Sequence, residues 1–288
     1  MSQPLLIADV PWLLYRAFFG LPRSITDEQG RPVNALLGTV NALLSAIAAR
    51  PPRALVACFG AEQAGYRVEL YPAYHAHRDP MPPELATQFE RAPELLESFG
   101  WTVATSESLE ADDLIFSFAR REAELGGSAL LLTGDRDLFQ ALDERVGVLQ
   151  LQGSREPLEL GPAEVRERYG IGPALVPDFI ALRGDPSDGL PGAPGIGAKT
   201  AAELLRRHGS LEGVLADAAR PESRERPRTR AVLNEHAELL RIFLEIATLV
   251  RVEVEPPSDH AGDFQAGARA AEALGMRGLA ERLRRMAL

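Results

Sequence analysis

Carboxylates recur in four separate stretches of the chain: LLIADV (Asp9), SLEADDLIF (Glu110, Asp112, Asp113), LLTGDRDLF (Asp135, Asp137) and LRGDPSDGLPG (Asp185, Asp188). The first three follow, or sit just beyond, short apolar runs of strand character. In an open α/β sheet, ligands bind outside the carboxyl ends of the strands, so these acids are expected to converge there. Gathered like charges repel one another unless a cation sits between them. The donors are all oxygens, with no cysteine or paired histidine among them. That set points to hard divalent ions, magnesium or manganese, and to metal-dependent chemistry at phosphate.

Each stretch also has a plainer reading. In SLEADDL, Ser108 is expected to cap a helix, which puts Glu110 and Asp113 on one face of its first turn. Acids there complement the helix dipole, but three in four residues exceed what a helix start needs. Asp135 and Asp137 could belong to a solvated turn. Beside a second acidic strand end that reading weakens, because crowded unpaired carboxylates cost stability. Asp9, closing an apolar strand, follows the same logic.

The stretch GAPGIGAKTAAELL invites a phosphate-loop reading and fails it. Ala198 stands where the pattern needs a glycine before the lysine, Ala193 where it needs its first glycine, and Thr200 where a dinucleotide fingerprint needs its third. What remains is a glycine-containing hairpin (Gly195, Gly197) entering a helix, whose free N–H groups, with Lys199 adding charge, suit a backbone phosphate. A tight helix–helix turn would look the same.

The elements that must position these groups are legible. Residues 4–8, 54–59, 102–105, 129–133 and 146–151 are strand-length apolar runs, and helical patterns such as NALLGTVNALLSAIAAR and LEADDLIFSFARREAELGG lie between them. This alternation predicts an α/β fold with a mostly parallel sheet flanked by helices. From 66 to 93 the chain carries Pro72, Pro80, Pro82, Pro83 and Pro93 with Arg67, His75, His77 and Arg78 interspersed. A long excursion is expected there, forming either a surface loop or a cationic flap over the acids. From about residue 175 strand signals fade into helices, with RPESRERPRTR as an exposed linker. The expected division is 1–174 for the α/β core and 175–288 for a helical subdomain.

Composition sets limits. The 288 residues are 45% hydrophobic and 25% charged, ordinary for a globular protein. No apolar stretch reaches membrane-spanning length, and no basic region leads into an apolar core, so no membrane partner and a cytoplasmic location are expected. The single cysteine, Cys58, is expected to pack in the core. A net charge of -10, taken alone, disfavours nucleic acid. The clustered carboxylates supply most of that excess, while Lys199, Arg206, Arg207 and His208, and then Arg224, Arg226, Arg228 and Arg230, form local basic patches. Local field near a ligand outweighs the sum.

In this order, LLIADVPWLLYRAFFGLP, YHAHRDPMPPEL, SLEADDL, LLTGDRDL and GDPSDGLPGAPGIGAKTAAELL resemble the 5′-nuclease family, the 5′-3′ exonuclease domain of bacterial DNA polymerase I and the flap endonucleases. The likeness fades after about residue 215, and with no polymerase module following, a stand-alone form is expected. The resemblance implies a PIN-like sheet, a helical arch at about 66–93 and a helix-three-turn-helix within the helical part. It implies two divalent ions, Mg or Mn. The first would be held by Asp9, Glu110 and Asp112, the second by Asp135, Asp137, Asp185 and Asp188, with Asp113 acting through water. It implies potassium in the hairpin, and DNA contacts from Tyr15, Arg16, Arg67, His75, Arg78, Gly195, Gly197, Lys199 and Thr200. Tyr71 or Tyr74 would stack on an extruded nucleotide. The implied function is structure-specific 5′-3′ exonuclease and flap endonuclease action on DNA in replication and repair, by a monomer with a polymerase or ligase as protein partner.

Two positions depart from the family pattern. Phe59-Gly60 stands for Phe-Asp, and Tyr74-His75 for Tyr-Lys. The first removes a carboxylate, so Gly60→Asp is expected to tighten metal dependence. The second replaces a permanent cation. Both support a competing reading, a catalytically weakened family member acting as a structure-specific DNA-binding protein. Retention of the other acids opposes it. A nucleotide-triphosphate hydrolase fails on the glycine positions, and a PIN-class ribonuclease would not need the helical half.

Overall fold

In the computed structural model, which describes residues 3–153 and 155–287, strands and helices alternate as the sequence predicts. The strands are β1 (Leu5–Asp9), β2 (Ala54–Cys58), β3 (Thr102–Ala104), β4 (Ala129–Leu132), β5 (Val146–Gln152) and β6 (Arg155–Leu160). They form one sheet ordered β3-β2-β1-β4-β5-β6. The first five run parallel, with Leu5 paired to Ala54 on one side and Ala129 on the other. β6 returns antiparallel to β5. It was not expected from sequence, because its charged residues and Pro157 suit only an edge strand.

Around the sheet lie α1 (Val10–Gly20), α2 (Asn34–Ala49), α3 (Gly65–Leu70), α4 (Pro83–Glu97), α5 (Ala111–Glu124) and α6 (Pro162–Tyr169). The later helices are α7 (Val176–Arg183), α8 (Ala198–His208), α9 (Leu211–Ala218), α10 (Pro227–Glu235), α11 (Ala237–Ala247), α12 (Phe264–Ala273) and α13 (Arg277–Met286). Successive strand residues point to opposite faces, so β1 feeds two cores. Leu5 and Ile7 join α5, α7 and α11, while Leu6 and Ala8 join α1, α2, α4, α12 and α13. Cys58 is fully buried in the first core.

Three expectations need correction. Pro93 does not break a helix but lies inside α4, and the excursion at 66–93 is the compact sequence α3, turn, α4. Gln88 on α4 is buried, and its side-chain oxygen accepts from the N–H groups of Ala35 and Leu36 at the start of α2. Pro227 opens α10, so only part of the 220–230 segment is linker. Finally, α12 and α13 do not belong with the helical half. Ala268, Ala271, Leu279 and Leu283 pack in the core of the other sheet face, beside Leu6 and Leu95.

This last placement is testable. Leu283→Ala should cost about 2–5 kcal/mol in urea unfolding, as for a fully buried leucine. A loss below about 0.5 kcal/mol would mean that the C-terminal helices are an appendage.

Candidate active site

The strand order reverses beside β1: β2 and β3 lie to one side of it and β4 to the other. The crevice outside the carboxyl ends at such a switch point is where α/β sheets bind ligands. Asp9 ends β1 there and caps α1, accepting from the Trp12 N–H at 3.0 Å. Its other oxygen accepts from the Thr133 hydroxyl at 2.7 Å. The same hydroxyl oxygen takes the Asp135 N–H at 3.0 Å, and Asp135 takes the Asp137 N–H at 2.9 Å. One hydrogen-bonded chain thus runs from the end of β1 to the segment after β4. Gly134 must be glycine here, since a Cβ would lie 2.2 Å from the Trp12 ring. Asp9, Glu110, Asp112, Asp135, Asp137 and Asp188 all line one cavity of about 770 Å³.

Burial of these charges shows in their proton affinities. Burial, opposed by the Thr133 and Trp12 bonds and aided by the charge of Asp135, pushes Asp9 up to about 7. Asp112 is raised well above the carboxylate range by burial, then by Asp135 and Asp9. Burial and the neighbouring Asp135, Asp188 and Asp185 do the same to Asp137. Asp135 is also raised, burial again leading. Among the described residues, no Lys, Arg or His lies within 4.0 Å of the carboxylates of Asp9, Asp112, Asp135 or Asp137 in an ion pair. Hard divalent cations fit this group. Asp9, Asp112, Asp135 and Asp137 would hold them, with Asp188 adjoining.

Glu110 and Asp113 depart from the ligand expectation. Arg67, only 2% exposed, places its guanidinium 2.8 Å from Glu110 and 2.9 Å from Asp113. Glu110 also accepts from the Ala64 N–H and the Tyr74 hydroxyl. Asp113 is fully buried and takes the Val250 N–H. The shared face predicted for Glu110 and Asp113 is real, but it meets an arginine. Arg67, expected at substrate phosphate, is consumed by this ion pair. Ser108 does not cap α5 either, since the helix begins after Glu110 and the local bonds go to Ser106.

Gly60 corrects a further expectation. A Cβ there would lie 2.2 Å from the Ala111 nitrogen and 2.4 Å from the Glu110 carbonyl carbon. The exit of β2 is pressed against the entrance of α5, leaving no room for a restored carboxylate.

The remaining candidates separate by position. His75 does not reach outward: it is 3% exposed, stacked on Tyr74, with Nε2 3.0 Å from Asp188. Its N–H donates to the Asp188 carbonyl, and its φ of 56° is positive. The positive φ of Gly189 permits the approach, as a Cβ there would meet the Ala73 carbonyl oxygen at 2.8 Å. Arg78 reaches the same Asp188 carboxylate at 3.2 Å and stays partly exposed. Asp185 accepts from the Ser187 N–H and hydroxyl and does not line the cavity. Tyr15 lines the cavity wall, and Arg16 is exposed, over the Trp12 ring. Tyr74 is buried on Glu110, and Tyr71 packs at a right angle to Phe243 and does not line the cavity. In the hairpin, Gly195 has a positive φ, Gly197 precedes α8 without a side-chain cap, Lys199 is exposed and Thr200 is half-buried.

Sequence reasoning missed Trp12, Thr133, Phe19 and Phe89. The first two carried a signal, lying three residues after Asp9 and two before Asp135. Among the described residues, the single triplet of ligand atoms within 4.8 Å of one another is elsewhere, at His208, Asp217 and Glu225. There Arg207 pairs with Glu225 and Ser223 donates to Asp217, so the knot reads as an ion pair tying the linker to α8.

Comparison with known proteins agrees with this architecture. Residues 4–170 match the 5′-3′ exonuclease N-terminal resolvase-like domain, and residues 171–262 match the 5′-3′ exonuclease C-terminal SAM fold. The chain belongs to the 5′-3′ exonuclease family. It is 40% identical to a 5′-3′ exonuclease of Mycobacterium tuberculosis over 76% of this chain and 74% of that one. It is 37% identical to DNA polymerase I of Thermus thermophilus over 96% of this chain, which spans only 32% of that polymerase. The fold is shared with the bacteriophage T5 D15 flap endonuclease, solved with DNA and metal ions (TM-score 0.71, 20% identity, 99% of each chain), and with the catalytic core of Rad2 bound to DNA (TM-score 0.66, 12% identity, 100% of this chain and 92% of that one).

Two outcomes follow from the electrostatics and packing. A carboxylate raised on folding contributes stability below its unfolded pKa and loses it as pH rises through the folded one. The metal-free protein should therefore lose Tm between about pH 4 and 7, manganese should restore it at pH 7.5, and Asp112→Asn should flatten the loss. A metal-free Tm independent of pH over that window would refute the crowding. Gly60→Asp should destabilise by about 2 kcal/mol or more through overpacking, without lowering the manganese midpoint in a calorimetric titration.

Proposed function

We propose that this chain is a divalent-metal-dependent 5′-3′ exonuclease and flap endonuclease that hydrolyses DNA phosphodiester bonds in replication and repair. The observation that carries the reading is the set of unpaired, proton-raised carboxylates around one cavity at the switch point between β1 and β4. Bound divalent ions there, two of magnesium or manganese, supply charge stabilisation at the reacting phosphate and acidify attacking water. The protein's own groups do the rest. Thr133 and the Trp12 N–H fix the Asp9 carboxylate, and the Asp137 N–H fixes that of Asp135. Arg67 pairs with both Glu110 and Asp113 and offsets one of their two charges, which lessens what they add to the repulsion. Arg78 stands at the rim, free enough to meet a substrate phosphate.

The α/β part, residues 1–174 with the returning α12 and α13, carries the chemistry, and the helices from 175 grip duplex DNA. The loop from Gly184 to Gly197 joins the two functions. Asp188 faces the cavity at one end, and the uncapped start of α8 with Lys199 meets backbone phosphate at the other. Backbone carbonyls of the hairpin would hold potassium. The chain acts as a monomer in the cytoplasm, handing nicked DNA to a polymerase or ligase. Among the described residues, no helix is long and apolar enough to cross a membrane.

A second reading, DNA binding with weakened cleavage, has an observation in its favour, since Gly60 and the Arg67–Glu110 pair both thin the ligand set around Asp9. Cleavage decides between the two. A 5′-flap duplex should be cut with magnesium or manganese, and Asp135→Ala should lower the rate by more than about 100-fold, beyond what loss of an outer-shell partner costs. Uncut flap DNA that still binds under both ions would favour the second reading. Binding should weaken linearly with log salt, and Lys199→Ala should reduce the slope by about 1. An unchanged slope would remove Lys199 from the phosphate contacts.

A further inference from the structure

The last turn of α11 is where the helical half meets the acids. Ile246, Ala247 and Leu249 line the same cavity as Asp9, Asp112 and Asp137. A helix leaves its final carbonyls without partners of its own, and here partners arrive from across the molecule. The Arg67 guanidinium donates to the Ile246 carbonyl at 3.1 Å. The half-buried Gln140 carboxamide donates to the Ala247 carbonyl at 2.9 Å, and its oxygen accepts from the Leu249 N–H at 3.0 Å. The same nitrogen donates to the Asp137 carbonyl at 2.9 Å. Turning the amide over would set its oxygen against two carbonyls, so these partners fix its orientation.

Capping α11 would need only the bonds to Ala247 and Leu249. The third bond goes to the short 3-10 turn Asp137–Ala141, whose first residue is one of the acids without a cationic partner. The Asp9 carboxylate is held by Thr133 and the Trp12 N–H, and that of Asp135 by the Asp137 N–H. Among the described residues no donor holds the Asp137 carboxylate, which is governed by burial and neighbouring charge. Its place therefore depends on its backbone. On the other side, α11 packs against α7, whose end leads into the loop of Asp188 and the hairpin before α8. We infer that Gln140 is a positioning residue that splints the Asp137 backbone to the end of α11, so that the helical half also sets where Asp137 meets a cation. Its effect on cleavage rests on the nuclease reading, whereas its effect on ion binding stands apart from it.

The test titrates the metal-free full chain with manganese by calorimetry. Gln140→Met keeps the length of the side chain and removes its amide. It should weaken manganese binding about tenfold, the low end for loss of an outer-shell partner, and bind a 5′-flap duplex in EDTA as wild type does. Thr248→Ala, which removes a hydroxyl bond to the Leu244 carbonyl in the same turn, should leave the manganese midpoint unchanged. In an Asp137→Asn background Gln140→Met should cost no further affinity, because the ligand it positions is gone. In cleavage, Gln140→Met should lower kcat about tenfold and leave KM for DNA within about twofold. If Gln140→Met does not fold, Gln140→Asn keeps the amide, is one methylene too short to span both segments, and carries the same expectation. An unchanged manganese midpoint overturns the inference, and with a lowered Tm it would make Gln140 a helix cap alone. A loss that persists in the Asp137→Asn background overturns it too. Wild type that binds manganese yet cuts no flap would instead overturn the nuclease reading, and the titration would still decide for or against Gln140.

Discussion

Carboxylate groups folded into one crevice, where burial and mutual repulsion raise their proton affinity, are the constraint around which the site is arranged. Asp9, Asp112, Asp135 and Asp137 come from three separated segments, and each is held where burial, and then the charge of its neighbours, raises its proton affinity. Such an arrangement opposes folding unless protons or cations relieve it. The rest of the structure can be read as what is needed to impose it. A parallel sheet delivers strand ends to one edge, Thr133 bridges two of them, and two apolar cores hold the frame against the repulsion.

The same constraint explains Arg67. From the start of α5, Glu110 and Asp113 meet Arg67 on α3, and Asp113 also meets the segment after α11, whereas Asp112 has no such partner. Left unpaired at that depth, two carboxylates would add to a cluster already strained by its charge. A buried arginine with five fixed donors serves both at once. The pairing divides the acids of SLEADDL into two that share an arginine and one, Asp112, that faces the cluster without a cationic partner. Residues adjacent in sequence thus carry opposite roles, because a helix turns successive side chains to different sides.

Much of this was legible beforehand. The first five strands, their parallel direction and the acidic ends at Asp9 and Asp135 follow from apolar runs and from where acids interrupt them. Legibility ended where the deciding contact was tertiary. Nothing in SLEADDL announces that Glu110 meets Arg67, forty-three residues earlier in the chain, and nothing in YHAHR announces that His75 turns inward on Asp188. Phe19 and Phe89 drew no reading from the sequence, and only the fold shows that both line the acidic cavity and that Phe19 is bare. β6 escaped notice because an edge strand needs one apolar face at most.

Gly60 shows how far a missing side chain can mislead. From sequence its meaning is subtraction, a carboxylate lost from an otherwise acidic set. In the fold, the same glycine lets the backbone after β2 touch the backbone before α5, and the Ala61 N–H donates to the Leu109 carbonyl across that seam at 2.8 Å. The seam carries Glu110 to Arg67 and the Ala64 N–H. Close backbone contact at residue 60 and arginine-paired Glu110 are therefore two aspects of one local geometry. A carboxylate at 60 would have to separate the segments and so disturb the pairing of Glu110. The acids without an arginine partner are those the seam leaves untouched, Asp9, Asp112 and those of the segment after β4.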